Sequence, residues 1–271
     1  MSSYYGAFFG NPKVFSPVWF TAAGLDSIYM LPYLYDLTAL KGTLKKYIDF
    51  AKLKGSTPRL IATCTDIKKG KSVMIDSASM DLDADHLAAC ASFPFYGIRW
   101  TEKGGKYLWD GALLSNTPLR EVIELSPKND KRVYIVNLFT AVQEELPQNL
   151  LDSWHRARDI MYTDKTDYNM RMSRIISKYL LLLKEIHDIL SNIKLDQQSQ
   201  ARLMKIEREY YRVAQDRGAI IDEIVKIERS EDLHFIFEDA DFSQATIKKL
   251  ILQGEKDAEK VLTKKKQQSA I

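Results

Sequence analysis

Apolar positions along this chain follow two rhythms, and the change falls near residue 145. Before it, apolar residues come in short runs that Gly and Pro interrupt; after it, they recur at steps of three and four among good helix formers. The β-rich runs "RLIATC" (59–64) and "KSVMID" (71–76) flank the turn sequence "TDIKKG", which predicts a hairpin. Asp83 or Asp81 is placed to cap a short helix through "ADHLAACAS", ended by Pro94. "GIRWT" and "KYLWD" flank "EKGG", a second hairpin whose glycines supply positive φ. Thr117-Pro118 marks a helix start, with proline at the first helical position, where its missing N–H costs nothing. Leu119, Val122 and Ile123 form that helix's apolar face. "RVYIVNLF" (132–139) is a nearly continuous apolar run, the pattern of a strand buried on both faces of a mostly parallel sheet. Strands alternate with short helices, so the first half reads as α/β.

The second half reads as helical. Ile175, Ile176, Tyr179, Leu180, Leu183, Ile186, Leu190 and Ile193 lie at helical spacing. "QARLMKIEREYYRVAQDRGAIIDEIVKIER" is a second long amphipathic stretch, with Gly218 inside it, and the two are expected to pair as a helical hairpin. "DFSQATIKKLILQGEKDAEKVL" predicts a third helix, capped by Asp241 or Ser243. Coiled-coil partner binding stays open as an alternative, disfavoured because the spacing drifts from a strict heptad. The expected organisation is therefore an α/β region over 1–145 and a helical region over 146–271, ending in a solvated basic tail around Lys264 to Lys266.

Composition narrows the function classes. A net charge of +3 in 271 residues is too small for a nucleic-acid-binding face. Cys64 and Cys90 lie far apart in no ligand spacing and read as two small buried thiols of a reduced compartment. His86, His155, His187 and His234 form no pair at helical ligand spacing, so no zinc site is expected. No segment reaches the roughly 18–20 apolar residues of a membrane span. "MSSYYGAFFGNPKVF" lacks a basic leader and an uninterrupted apolar core, so it does not read as a secretory signal. The expectation is a cytoplasmic protein, with a peripheral membrane contact left open.

The least ordinary stretch is "YLWDGALLSNTPLR" (107–120). Asp110 follows apolar Leu108 and Trp109, at the rim of a buried strand. Burial without a partner raises an aspartate's pKa and makes it a better proton acceptor near neutrality. Gly111 admits a close approach by another backbone or a substrate, and Asn116 can hold the turn by local bonding. The alternative is an Asx-turn, in which Asp110 only bonds the N–H of Ala112 or Leu113.

"YLWDGALLSNTPLREVI" resembles the aspartate block of the patatin-like acyl hydrolases, Asp-Gly-Gly or Asp-Gly-Ala followed by a small-Asn-small-Pro run. "RLIATCTDIKKGKSVMID" is similar to that family's Ala-Thr-Asp strand pair, and "HLAACASFPFYGIRW" to its small-residue helix before the final hairpin. "SWHRARDIMYTDKT" and "DFSQATIKKLILQGEKDA" resemble the helical C-terminal extension of one bacterial and archaeal branch. The resemblance implies the C-terminal portion of a three-layer α/β/α patatin-like catalytic domain over 1–145, and that extension over 146–271. It also implies lipid ester hydrolysis by a serine–aspartate dyad, without metal or cofactor. Its aspartate carries over onto Asp110, and the surrounding motif onto Gly111, Ala112, Asn116 and Pro118.

One part of the family pattern is missing. Residues 1–271 contain no G-x-S-x-G and no glycine-rich oxyanion loop; "YYGAFFG" has phenylalanine where the serine belongs. The chain is expected to begin just after the nucleophile helix, as a truncated gene model, a split gene or a pseudoenzyme. Ser92 and Ser115 lack the strained turn and converging N–H donors of a nucleophile. The isolated chain is thus expected to be nearly inactive. The implied partners are a lipid or other acyl ester, a chain supplying the N-terminal half, and a membrane surface. Missing strands would leave an unpaired edge and an exposed apolar face. Phe8, Phe9, Phe15, Trp19 and Phe20 either line an acyl groove or are plain core. The competing function is a non-catalytic protein- or membrane-binding module derived from the same fold.

Overall fold

The computed structural model describes residues 2–21, 30–124, 131–140, 142–217, 221–230 and 240–268. It is mixed α/β, and it falls into two compact units, each drawn from three stretches of chain. Met1–Asn116, Glu144–Arg158 and Glu231–Glu255 form the first; Thr117–Gln143, Asp159–Ser230 and Lys256–Ile271 form the second.

The first unit opens with α1 (Ser2–Phe9), the short antiparallel pair β1 (Ser16–Pro17) and β2 (Tyr35–Asp36), and α2 (Thr38–Tyr47). Then come β3 (Ile61–Asp66), β4 (Lys71–Asp76), α3 (Ala84–Ala89), β5 (Thr101–Lys103) and β6 (Lys106–Asp110). The sheet has the order β4-β3-β6-β5 and is antiparallel throughout. Both expected hairpins form. Asp66 Oδ1 accepts from the N–H groups of Lys68 and Lys69 and closes the first turn. Gly104 and Gly105, at φ 56° and 72°, make the two-residue turn of the second. Asp83, not Asp81, caps α3: its carboxylate accepts from the N–H groups of Asp85 and His86, and His86 returns the contact to the Asp83 N–H. Cys64, Ile75, Leu82, Ala89 and Leu108 make the core between the sheet and α3. At its margin Arg59 forms a bidentate ion pair with buried Asp76.

The second unit holds α4 (Leu119–Glu124), β7 (Lys131–Asn137), most of α5 (Leu150–Ser191), α6 (Gln197–Arg217), β8 (Ile221–Glu228) and the end of α7 (Gln244–Gln268). β7 and β8 pair in parallel, the only parallel ladder among the described residues. Leu119, Ile123, Ile135 and Met170 are its core. α5 turns a face of Tyr162, Thr166, Met170, Ser173, Ser177 and Leu180 inward, at steps of three and four. Between α5 and α6 the structure shows an ion pair, His187 Nε2 to Glu207 Oε1 at 3.5 Å. At α7, Ser243 Oγ accepts from the Thr246 N–H, while Asp241 accepts from the Ser243 N–H and the Thr246 hydroxyl.

Two expectations are corrected. The stretch 201–230 is not one helix: α6 stops at Arg217, and 221–228 is β8. Its apolar residues satisfy either period, and a parallel partner in β7 decides for the strand. Nor is 132–139 buried on both faces. Ile135 is 4% exposed and Asn137 is buried, but Tyr134 and Val136 are 50% and 64% exposed. One face packs on the core, and on the other Tyr134 and Val136 stand half or more exposed. Gly218 and His234 lie outside the described residues.

Candidate active-site corner

Asp110 ends β6, where the chain leaves the sheet for a single turn of 3₁₀ helix, Gly111–Leu113. Its backbone is gripped from both sides. Its N–H donates to the Ser92 carbonyl at 3.0 Å, and its carbonyl accepts from the Thr65 hydroxyl at 3.1 Å. Asp110 stands directly opposite Cys64 in the β3–β6 register. Directly opposed residues of an antiparallel pair project to one face, so the carboxylate leaves the sheet on the side of the Cys64–Leu108 core.

That position sets its electrostatics. Burial pushes the Asp110 carboxyl up to about 6, against one opposing influence, the Ala112 N–H that donates to Oδ1 at 2.8 Å. This bond is the Asx-turn contact, at Ala112 rather than Leu113. Among the described residues Oδ1 is the carboxylate oxygen with a hydrogen-bond partner; Oδ2 has none. The side chain is thus hydrogen-bonded through one oxygen and, among the described residues, not through the other, and burial raises its carboxyl above the ordinary carboxylate range.

Gly111 answers to sterics. It is buried, and a Cβ there would stand 2.4 Å from the Thr63 carbonyl oxygen. The close neighbour admitted by this glycine is the backbone of β3. Ala112 supplies the N–H that holds Asp110. Asn116 sits in the bend after the turn, and Pro118 precedes α4; Asn116 ends a stretch of the first unit, whereas Pro118 belongs to the second. The Thr117 hydroxyl shares a 2.8 Å hydrogen bond with Thr166.

Neither nearby serine is presented as a nucleophile. Ser92 is buried and donates to the Ala88 carbonyl, with the Thr101 hydroxyl 3.3 Å away. Ser115 donates its N–H to the Gly111 carbonyl. The histidines are spent elsewhere: His86 on the α3 cap, His187 on α6, while His155 is buried in the first unit. No cluster of three His, Cys, Asp or Glu suited to a metal occurs among the described residues.

An apolar cavity of about 470 Å³ lies in the first unit, walled by Phe15, Tyr35, Leu37, Phe95, Trp154 and Phe242, among others. Phe15 thus lines a cavity. Phe8, Phe9 and Phe20 are exposed, so they are not plain core; Phe8 meets the half-buried Trp19 edge-on, and Phe9 stacks on Phe20. No described helix is long and apolar enough to cross a membrane. Spacing gave no sign that Cys64 and Cys90 would meet, yet their sulfurs are 3.4 Å apart beside the Asp110 corner. Comparison with models of known families finds none that matches this chain, and comparison with curated proteins finds no match either.

Proposed function

We propose that this chain is the base-bearing portion of a patatin-like lipid acyl hydrolase, with 1–145 the C-terminal part of the catalytic domain and 146–271 its helical extension. Asp110 is the general base. In the completed site a serine Oγ attacks the ester carbonyl while its proton passes to Asp110 Oδ2. Collapse of the tetrahedral intermediate leaves an acyl-serine and expels the alcohol, which takes the proton back from Asp110; water, giving a proton to Asp110, then attacks the acyl group and releases the acid as the serine recovers that proton. The serine and the oxyanion donors come from outside residues 1–271, because no G-x-S-x-G occurs within them. The reading rests chiefly on one observation: a carboxylate fixed through Oδ1, without a hydrogen-bond partner at Oδ2 among the described residues, and raised to about 6 by burial. Such a group is ionised at neutral pH and more basic than an ordinary aspartate.

The reading is tested first in the DNA upstream of the first codon. A G-x-S-x-G in the same or a shifted frame supports it, and unrelated sequence counts against it. A chain carrying that motif, mixed with this one, is expected to hydrolyse a lipid ester, and Asp110→Asn should abolish the activity. Equal hydrolysis with Asp110→Asn overturns the dyad.

A second reading, a non-catalytic binding module, draws on the same corner, since the bond to Ala112 also suffices to make Asp110 a turn-former. Exposed Tyr5, Phe8, Phe9 and Phe20 offer such a module an uncharged aromatic surface for a membrane or a protein. Under this reading the purified chain is a soluble, cooperatively unfolding protein that binds liposomes. Asp110→Asn leaves that binding unchanged.

A further inference from the structure

Cys64 and Cys90 are 26 positions apart in sequence and in contact in the fold, with Sγ–Sγ 3.4 Å and no bond between them. Cys64 lies on β3 with its side chain in the core. Cys90 is the C-cap residue of α3, and its sulfur also reaches the His86 carbonyl at 3.4 Å. Cys64 is buried and Cys90 is half-buried at the margin of the same core, so Cys90 is the residue of the pair nearer to solvent. A disulfide needs about 2.05 Å between the sulfurs, so closure requires the two sulfurs, now in contact, to approach further.

We propose that Cys64 and Cys90 are a peroxide-oxidised dithiol site that closes reversibly to a disulfide. The Cys90 thiolate attacks one oxygen of hydrogen peroxide. The O–O bond breaks, Cys90 becomes a sulfenic acid, and the departing hydroxide takes up the proton that the Cys90 thiol released, leaving as water. The Cys64 sulfur then displaces the sulfenic hydroxyl: an S–S bond forms, the S–O bond breaks, and the Cys64 proton leaves with that hydroxyl as a second water. Two thiols lose two electrons, and one peroxide is reduced to two waters. The order of roles follows from access, with Cys90 attacking and Cys64 resolving. It agrees with the chemistry of Cys64, whose thiol is pushed up by its bond to Cys90, by burial and by the nearby Asp110 charge: it is the poorer first attacker, and it gives up its proton only to the departing sulfenic oxygen as the S–S bond forms.

The link falls between the two segments that hold Asp110. Cys64 is its cross-strand partner on β3, and Cys90 lies two residues before Ser92, whose carbonyl accepts the Asp110 N–H. Oxidation therefore ties both supports of the corner together, and it does so whatever reaction Asp110 serves.

The experiment uses the full chain, reduced, desalted and exposed to equimolar hydrogen peroxide. The expected result is an intact-mass loss of two hydrogens, a peptide map joining the Cys64 and Cys90 peptides, a higher urea midpoint, and reversal of all three by dithiothreitol. Cys64→Ser should instead leave a Cys90 sulfenic acid that dimedone traps. If the wild-type chain, still folded by circular dichroism, keeps both thiols alkylatable in excess peroxide, the proposal is wrong. It is equally wrong if oxidation yields only disulfides between chains or a Cys90 sulfinic acid. The wild-type mass and peptide map decide the matter even if the serine variant does not fold.

Discussion

Gly111 and Thr63 touch so closely that no side chain fits between them: a Cβ on Gly111 would lie 2.3 Å from the Thr63 hydroxyl oxygen and 2.4 Å from its carbonyl oxygen. One of the two atoms in the way is backbone, and it belongs to a strand paired on both sides, so it cannot yield as the end of a flexible side chain would. The residue after Asp110 is therefore small because the fold of the corner demands it, before any substrate is considered.

Gly111→Ala is accordingly expected to destabilise the chain by about 1–3 kcal/mol, the range of overpacking in a closed site. Gly42 is the control. It lies inside α2 with nothing within 4 Å of its notional Cβ. Gly42→Ala should stabilise by roughly 0.5–1 kcal/mol through helix propensity alone. Urea midpoints of the two variants should move in opposite directions with unchanged slopes.

Asp110 should leave a signature in the pH dependence of stability. Its folded-state carboxyl is raised to about 6 by burial, above the roughly 3.9 of an unfolded aspartate. Between these values the folded state binds more protons than the unfolded one, so stability falls as pH rises across the window and levels off above it. Asp110→Asn removes the charge and keeps an oxygen for the Ala112 N–H. It should stabilise by on the order of 1–2 kcal/mol at pH 8 and by little at pH 4. Denaturant titrations at the two pH values read this directly; an equal effect at both would show that the carboxylate is not held in a desolvated place.

Asp76 is expected to behave oppositely. The Arg59 guanidinium, helped by the Ala78 N–H, holds its carboxyl down at about 2. Here the unfolded state binds more protons at low pH. The stability this pair contributes is present above about pH 4 and is lost as pH falls through about 2. Asp76→Asn should destabilise by about 2 kcal/mol at neutral pH, the scale of charge-assisted hydrogen bonds, and should flatten the acid limb of the stability profile.

What could be read in advance was what neighbouring residues decide among themselves. Gly104-Gly105, the Asp83 cap and the turn at Asp110 announce themselves because each is settled within a few positions. β8 does not, because Ile221, Ile224, Val225 and Ile227 fit a helical face as well as a strand, and only a partner 90 residues away in β7 selects between them. The Cys64–Cys90 contact gives no local signal for the same reason. At the candidate site the raised carboxylate was legible from apolar Leu108 and Trp109, whereas the steric demand of Thr63 on Gly111 depends on strand pairing that no local pattern shows.

The exposed face of β7 leads to the last prediction. Ile135 and Val136 are adjacent residues of similar character, and a strand buried on both faces would need both. Here Ile135 packs with Leu119, Ile123 and Met170, whereas Val136 points away from that core and Leu138, just beyond the strand, is also exposed. Ile135→Ala should therefore cost about 2–4 kcal/mol as a core truncation. Val136→Lys and Leu138→Lys should each change stability by less than about 0.5 kcal/mol, as surface substitutions do. The two lysines should also suppress self-association of the purified chain, because an uncharged apolar strand face invites edge-to-edge pairing and a cation opposes it. Sedimentation velocity of the double variant beside the wild type checks the second claim. A loss of stability as large as that of Ile135→Ala would mean that this face is covered within the chain itself.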